Sequence, residues 1–192
     1  MKNFIGFLII LIFGAFVFFV GWTQIKVKPG NIGIVQSKTS GISSKIIIPG
    51  KFSWHKEFLI PTNAQIEKFE YKPYNGKKTI TGKRGSAAEF SFTFQISLSY
   101  EPELISDLLK DNKISNQEDF ESYLEGVAAY LAQRAADYLI LKFNQTPYFT
   151  PQSVTISELV SAIAFYKDYP DFDINVLAIT DYSYNSSEVA SL

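Results

Sequence analysis

With 192 residues and a mass of 21.7 kDa, the chain has room for one ordinary domain once about 20 residues are set aside for a membrane span. Hydrophobic residues make up 46% and charged residues 19%, which is too apolar for a disordered chain. Cysteine is absent and His55 is the single histidine, so disulfides, thiolate zinc sites and multi-histidine metal sites are excluded, and a Ser/His triad would have to use His55. This composition weighs against an enzyme. The net charge of −1 hides a division: Lys26 to Arg84 carries 12 cations and three Glu, whereas Gly85 to Leu192 carries five cations and 16 acids. An electrically two-ended chain points to a charged surface or partner.

Phe4 to Ile25 is a run of 22 uncharged residues. As a helix it would reach roughly 33 Å, which matches a hydrocarbon core of about 30 Å. Trp22 near its end suits the headgroup region, and Lys26 and Lys28 follow as interfacial anchors. Its apolar core is longer than the ~7–15 residues of a leader peptide, and Val20-Gly21-Trp22 is a poor cleavage site, so the segment reads as a retained anchor. Counting Lys2 against Lys26, Lys28 and Lys38 leans the rest of the chain towards the cytoplasmic side.

Beyond the anchor, residues 25–36 read as two short strands about a Pro29-Gly30-Asn31 turn. Lys45 to Ile48 is an apolar run stopped by Pro49-Gly50. Phe52 to Ile60 reads as a strand closed by Pro61, with Phe52, Trp54 and Phe58 on one face, and Ile66 to Tyr71 as another. Asn75-Gly76 reads as a tight turn. Phe90 to Tyr100 is the clearest element: Phe90, Phe92, Phe94, Ile96, Leu98 and Tyr100 alternate with five uncharged polar residues, the period of a half-buried strand.

The period then changes. Glu101-Pro102-Glu103 opens a short helix to about Lys110. Ser115 to Glu118 reads as a capping box for a long amphipathic helix carrying Phe120, Leu124, Val127, Leu131, Ala135, Tyr138 and Leu141, ending near Phe143. Ala128, Ala129, Ala132, Ala135 and Ala136 keep part of it slim. Thr155 to Glu158 reads as a second capping box, for a helix to about Tyr169. Phe172 to Ile179 reads as a closing strand and Ser183 to Leu192 as a polar tail. Strands, then helices, then one strand make an α+β protein. The organisation expected is an anchor over residues 1–25, a domain over 26–182 and a tail over 183–192.

Several of these segments resemble the SPFH or band 7 superfamily, which includes stomatins, prohibitins, flotillins and bacterial membrane-protease regulators. Val27-Lys28-Pro29-Gly30-Asn31-Ile32-Gly33-Ile34-Val35, directly after the anchor, is similar to the family's opening. Ile47-Ile48-Pro49-Gly50-Lys51-Phe52 resembles its next step, followed by Phe58-Leu59-Ile60-Pro61. The strand running into Tyr100-Glu101-Pro102-Glu103, the small-rich long helix and the late strand from Asp173 to Ile179 fit its second half. The resemblance spans residues 4–182. It implies an SPFH-like fold and a non-enzymatic role: scaffolding of membrane assemblies or microdomains, self-association, or control of a membrane-anchored AAA protease. Family members continue into a coiled coil that drives assembly. No heptads follow the last strand here, so the sequence reads as a minimal member or a piece of a longer one.

The residues read as the anchor's membrane-facing set are Phe4, Leu8, Leu11, Phe16, Phe19 and Trp22. Lys26, Lys28, Lys51, Trp54 and Lys56 are read as contacts with the membrane surface, the lysines meeting anionic headgroups. Phe52, Trp54 and Phe58 read either as plain core or as a wedge dipping into the bilayer. His55 reads as a surface strand residue, with a pH-sensitive contact as the sharper alternative. Asp168, Asp171 and Asp173 lack the glycine and terminal Glu of a calcium loop and read as a solvated turn. Gly82-Lys83-Arg84-Gly85 lacks a phosphate-loop pattern and reads as a basic hairpin tip. No catalytic, metal or cofactor-binding residue is assigned, no cofactor is expected, and nucleic acid is a poor fit for a basic segment beside a membrane anchor. A small-molecule binder or enzyme is the remaining class.

Overall fold

The computed structural model describes residues 2–84, 88–146 and 148–185. Gly85 of the expected hairpin tip and residues 186–192 of the expected tail lie outside them. The chain is α+β, with an N-terminal apolar helix and antiparallel sheets. The span read as one domain over 26–182 divides into two compact units, one formed by residues up to Lys72 with Pro102–Phe120, the other by Pro73–Glu101 with the residues from Glu121 on.

In the first unit, α1 (Lys2–Gly21) runs into a 3-10 turn at Gln24–Lys26. Three strands follow, β1 (Asn31–Ser37), β2 (Gly41–Ile47) and β3 (Ala64–Glu70), in the antiparallel order β2-β1-β3. A strand pair about Pro29-Gly30 was expected over 25–36. Its first arm is instead the 3-10 turn and a single extended residue, Val27, and only the second arm joins the sheet. Gly30, at φ 82°, supplies the left-handed residue that this turn needs. Val27, Val35 and Ile47 form the small core, with Phe58, Ala64 and Ile66 packed on it. Gly33 makes that core possible. A Cβ there would lie 2.7 Å from Val27 Cγ2 and 2.8 Å from Ile66 Cγ2, so a side chain would push both out.

Helix α2 (Glu103–Lys110) begins after Pro102 as read and buries Leu104, Ile105, Leu108 and Leu109. Its Ser106 hydroxyl donates to the Ser43 carbonyl of β2 at 3.0 Å. The cap of α3 (Gln117–Gln145) is displaced by one residue from the expected box. Asn116 Oδ1 accepts the Asp119 N–H at 2.9 Å, and the Asp119 carboxylate accepts the Ser115 N–H at 2.8 Å and the Ser115 hydroxyl. Those bonds hold the Asp119 carboxyl below its ordinary value, with the Ser115 hydroxyl the largest cause.

In the second unit, β4 (Tyr74–Arg84), β5 (Ala88–Tyr100) and β6 (Phe172–Asn185) form one antiparallel sheet with β5 central. Phe92, Phe94, Ile96 and Leu98 are all fully buried, as the alternation of β5 requires. Asn75-Gly76 is not a turn. Gly76 pairs with Ile96 in mid-strand, and a Cβ on it would lie 2.3 Å from the Tyr74 hydroxyl, so the glycine is there to let a tyrosine cross. Strand β6 runs past the expected Ile179 to Asn185, where Tyr184 stacks on Phe143 of α3 at 4.4 Å. Ser183–Asn185 of the expected tail are therefore strand.

The α3 stripe holds through Ala135, then turns. Leu139 and Ile140 are buried, Leu141 is exposed, and Tyr138 is half-buried with its hydroxyl donating to Glu158 at 2.6 Å. Thr155 caps α4 (Ile156–Ile163) as read, its hydroxyl accepting the Glu158 N–H at 3.2 Å. The expected continuous helix to Tyr169 breaks at Ala164, whose φ of 51° is left-handed, and resumes as α5 (Phe165–Asp168). The break brings Phe165 into the core, stacked on Tyr169 at 5.4 Å.

Candidate membrane-seating surface

Asn3–Gly21 of α1 is long and apolar enough to cross a bilayer. Phe4, Leu8, Leu11, Phe16 and Phe19 are all exposed along it. Its C-terminal end has unpaired carbonyls that must find donors. The segment Ser53–His55 supplies them by running antiparallel to Gly21–Thr23. Thr23 N–H donates to the Ser53 carbonyl at 3.0 Å and His55 N–H to the Gly21 carbonyl at 2.9 Å, making a Trp22–Trp54 bridge. The Trp54 indole N–H donates to the Phe18 carbonyl at 3.2 Å, and the Lys26 ammonium caps the Val20 carbonyl at 3.2 Å. Beneath the bridge, the fully buried Thr23 hydroxyl reaches the Ser53 carbonyl (3.1 Å) and hydroxyl (3.2 Å).

The strand expected over Phe52–Ile60 is thus a single bridge followed by a 3-10 turn at Lys56–Leu59. Its aromatic residues do not share a face. Phe58 is tucked against the small core, under the Lys26 ammonium at 4.1 Å. Phe52 is 61% exposed and lies near-parallel to Phe18 of the helix end at 6.1 Å, tilted against Trp22 at 6.5 Å. With Ile25 just after the helix, Trp54 bridged to it, and Leu59 and Ile60 at the end of the turn packed against it, all exposed, it forms an apolar collar at the foot of α1. Sequence reasoning named Ile25 within the anchor and Phe52 and Trp54 in the wedge but missed Leu59 and Ile60; their signal was apolar residues placed beside Pro61, where loops are usually polar.

Of the lysines read as surface contacts, Lys28, Lys51 and Lys56 are exposed around this collar. Lys26 is not free to meet headgroups as expected. It is half-buried, committed to the Val20 carbonyl and the Phe58 ring, and burial lowers its pKa from the ordinary value. His55 is neither on a strand nor at the surface. It is 8% exposed, with Nε2 3.2 Å from the Ser53 hydroxyl and Nδ1 3.8 Å from Glu57. Burial is the main cause lowering its pKa, opposed by the Glu57 carboxylate and reinforced by Lys45.

In the second unit, Asp168 accepts from the Tyr130 hydroxyl, and Asp173 lies on β6. Among the described residues no group of three His, Asp or Glu side chains could hold a metal ion. Lys83 of the expected basic tip pairs with Glu89 across the hairpin at 2.8 Å.

The arrangement defines the class: an α+β protein whose N-terminal apolar helix is bonded at its foot into the first unit. The sequence matches no protein-family model. An uncharacterized protein of Treponema pallidum (strain Nichols) is 28% identical over 132 residues, covering 62% of this chain and 45% of that protein. The match thus spans under half the length of that relative.

Proposed function

We propose that the protein is a non-enzymatic, single-pass membrane scaffold of the SPFH type, with its collar seated at the bilayer surface and further copies of itself as partners. The observation that carries the membrane part is the backbone bridge between Gly21–Thr23 and Ser53–His55 at the foot of an apolar helix. Cleaving the helix as a leader would cut through that bridge and strand the collar in water. With the helix retained, Ile25, Phe52, Leu59 and Ile60 enter the acyl boundary, where exposed apolar patches belong.

The SPFH part is supported by the order of the quoted segments along the fold. Pro29-Gly30 turns the chain into β1, Pro49-Gly50 follows β2 with Gly50 at φ 81°, and β5 passes through Tyr100-Glu101-Pro102 into α2.

Three measurements test the proposal. Ile10→Arg should raise the cost of insertion by ~2.5–3.5 kcal/mol and move the protein out of carbonate-washed membranes. Full-length protein recovered from membranes should keep its N-terminal residues by mass, and chemical cross-linking in the bilayer should give ladders of self-association. A mature chain starting near Thr23, or monomer alone after cross-linking, would defeat the anchor and the scaffold respectively.

A further inference from the structure

Next to the collar lies a cleft of about 510 Å³, formed where the turn between β1 and β2 meets the start of β3. Only Pro61 separates the exposed Ile60 of the collar from Thr62 of the cleft wall. The floor is polar and buried: Ser37 is 8% exposed and Asn63 is 6% exposed, and both line the cleft. The two Nδ2 hydrogens of Asn63 serve three acceptors, one shared between the Ser37 (3.2 Å) and Thr39 (3.2 Å) hydroxyls and the other donated to the Glu57 carbonyl (3.3 Å). A carbonyl accepts only from a donor, so Glu57 fixes that side of the amide as nitrogen and turns Oδ1 away from it. Among the described residues nothing donates to Oδ1, and it is not sealed from solvent. A nine-tenths buried side chain thus presents one open acceptor. The Lys38 side chain stands exposed at the rim, with no ion-pair partner among the described residues.

An acceptor on the floor asks for a hydroxyl, and a cation on the rim asks for an anion. A phosphate esterified to a polyhydroxy alcohol carries both. We propose that this cleft binds a phosphoglycerol group, its hydroxyl on Asn63 Oδ1 and its phosphate at Lys38, supplied as the headgroup of an anionic lipid. The proposal rests on the membrane seating argued above, because the seated collar places the cleft at headgroup level. Phosphatidylmethanol has the same net charge but no headgroup donor, so it matches Lys38 and not Asn63.

The test uses the full chain in phosphatidylcholine nanodiscs containing equal minor shares of phosphatidylglycerol and phosphatidylmethanol. Lipid retained on the extracted protein is read by native mass spectrometry. Phosphatidylglycerol should be retained about tenfold over phosphatidylmethanol, the factor expected for about one satisfied hydrogen bond. Lys38→Gln should lower phosphatidylglycerol retention at least severalfold. Asn63→Ala should abolish the preference, but Asn63 also ties the β1–β2 turn to Glu57, so the exposed Lys38 carries the test if that variant fails to fold. A second arm adds glycerol 3-phosphate to discs of phosphatidylcholine alone. Binding there that is lost in Lys38→Gln, without any lipid preference, would assign the cleft to the soluble ester. Equal retention of both lipids, unchanged by Lys38→Gln, with no glycerol 3-phosphate bound, would overturn the site. Loss of the unmodified protein from carbonate-washed membranes would instead overturn the seating.

Discussion

Gly21 and the Trp54 indole occupy space that only a glycine can share: a Cβ at position 21 would lie 2.3 Å from both Cε2 and Nε1 of the ring. The contact explains how a helix end and a loop some thirty residues later stay in register. With Gly21 bare, the indole lies against the helix backbone and its N–H reaches the Phe18 carbonyl at 3.2 Å. Gly21→Ala should expel the ring and cost ~1–3 kcal/mol, the range for overpacking a tight site. Thermal melts in detergent should show the loss. In a Trp54→Ala background the same substitution should cost much less, because contacting residues do not add. Equal costs in both backgrounds would mean that the indole does not anchor the helix end.

His55 makes the bridge sensitive to acid. Its pKa in the folded chain is lowered, chiefly by burial, so the folded state binds a proton less readily than the unfolded one. The stabilisation is therefore fully present above the unfolded value of about 6.5 and is lost as pH falls through the folded value. Melting temperature should drop on going from neutral to mildly acidic buffer, and His55→Gln should flatten that dependence. An unchanged slope in the variant would assign the acid sensitivity to another group.

The parts of the fold legible in the sequence are those where one physical demand acts alone. Strand β5 has one face sealed in a core and one only partly covered, so Phe92, Phe94, Ile96 and Leu98 alternate with polar residues and the period reads directly. Around the collar two apolar surroundings compete. Phe52 points outward and Phe58 inward, yet both are apolar, so spacing alone suggested a strand where a bridge and a 3-10 turn stand. Gly76 shows the same ambiguity at one residue. After asparagine, glycine signals a turn, but here it answers a steric need set by Tyr74, two residues earlier on the same strand. Ala164 gave no local sign of a break, because alanine favours helix; its left-handed φ accompanies the burial of Phe165. Asn63 looked like loop polarity between Thr62 and Ala64. Its role as a buried donor to Ser37, Thr39 and Glu57 depends on contacts that only the folded chain assembles.

The start of α3 offers a prediction independent of the membrane. Asn116, not Ser115, accepts the free Asp119 N–H, while Asp119 reaches back to Ser115. Asn116→Ala should cost ~1 kcal/mol, typical for losing an N-cap side chain. Ser115→Ala leaves the Asn116 cap and the Ser115 N–H bond intact and should cost less. If Ser115→Ala proves the more damaging in denaturant melts, the cap lies one residue earlier, where the sequence alone put it.

The exposed lysines should act on the membrane in a way that separates them from Lys26. Lys28, Lys51 and Lys56 stand free around the collar, and each cation held near an anionic surface contributes about 1 kcal/mol, fading over a Debye length of about 10 Å. Lys26 already caps the Val20 carbonyl and covers Phe58, so its replacement removes a structural contact rather than a lipid contact. Full-length protein carrying Trp22→Phe, which leaves Trp54 as its one indole, can be followed in vesicles with and without anionic lipid by quenching with bromine-labelled acyl chains. Lys51→Gln with Lys56→Gln should reduce quenching in anionic vesicles at low salt and leave it unchanged in neutral ones. Lys26→Gln should lower the melting temperature in both lipids alike. Quenching that ignores lipid charge, salt and Lys51/Lys56 together would leave the apolar collar as the domain's membrane contact and assign the lysines to solubility.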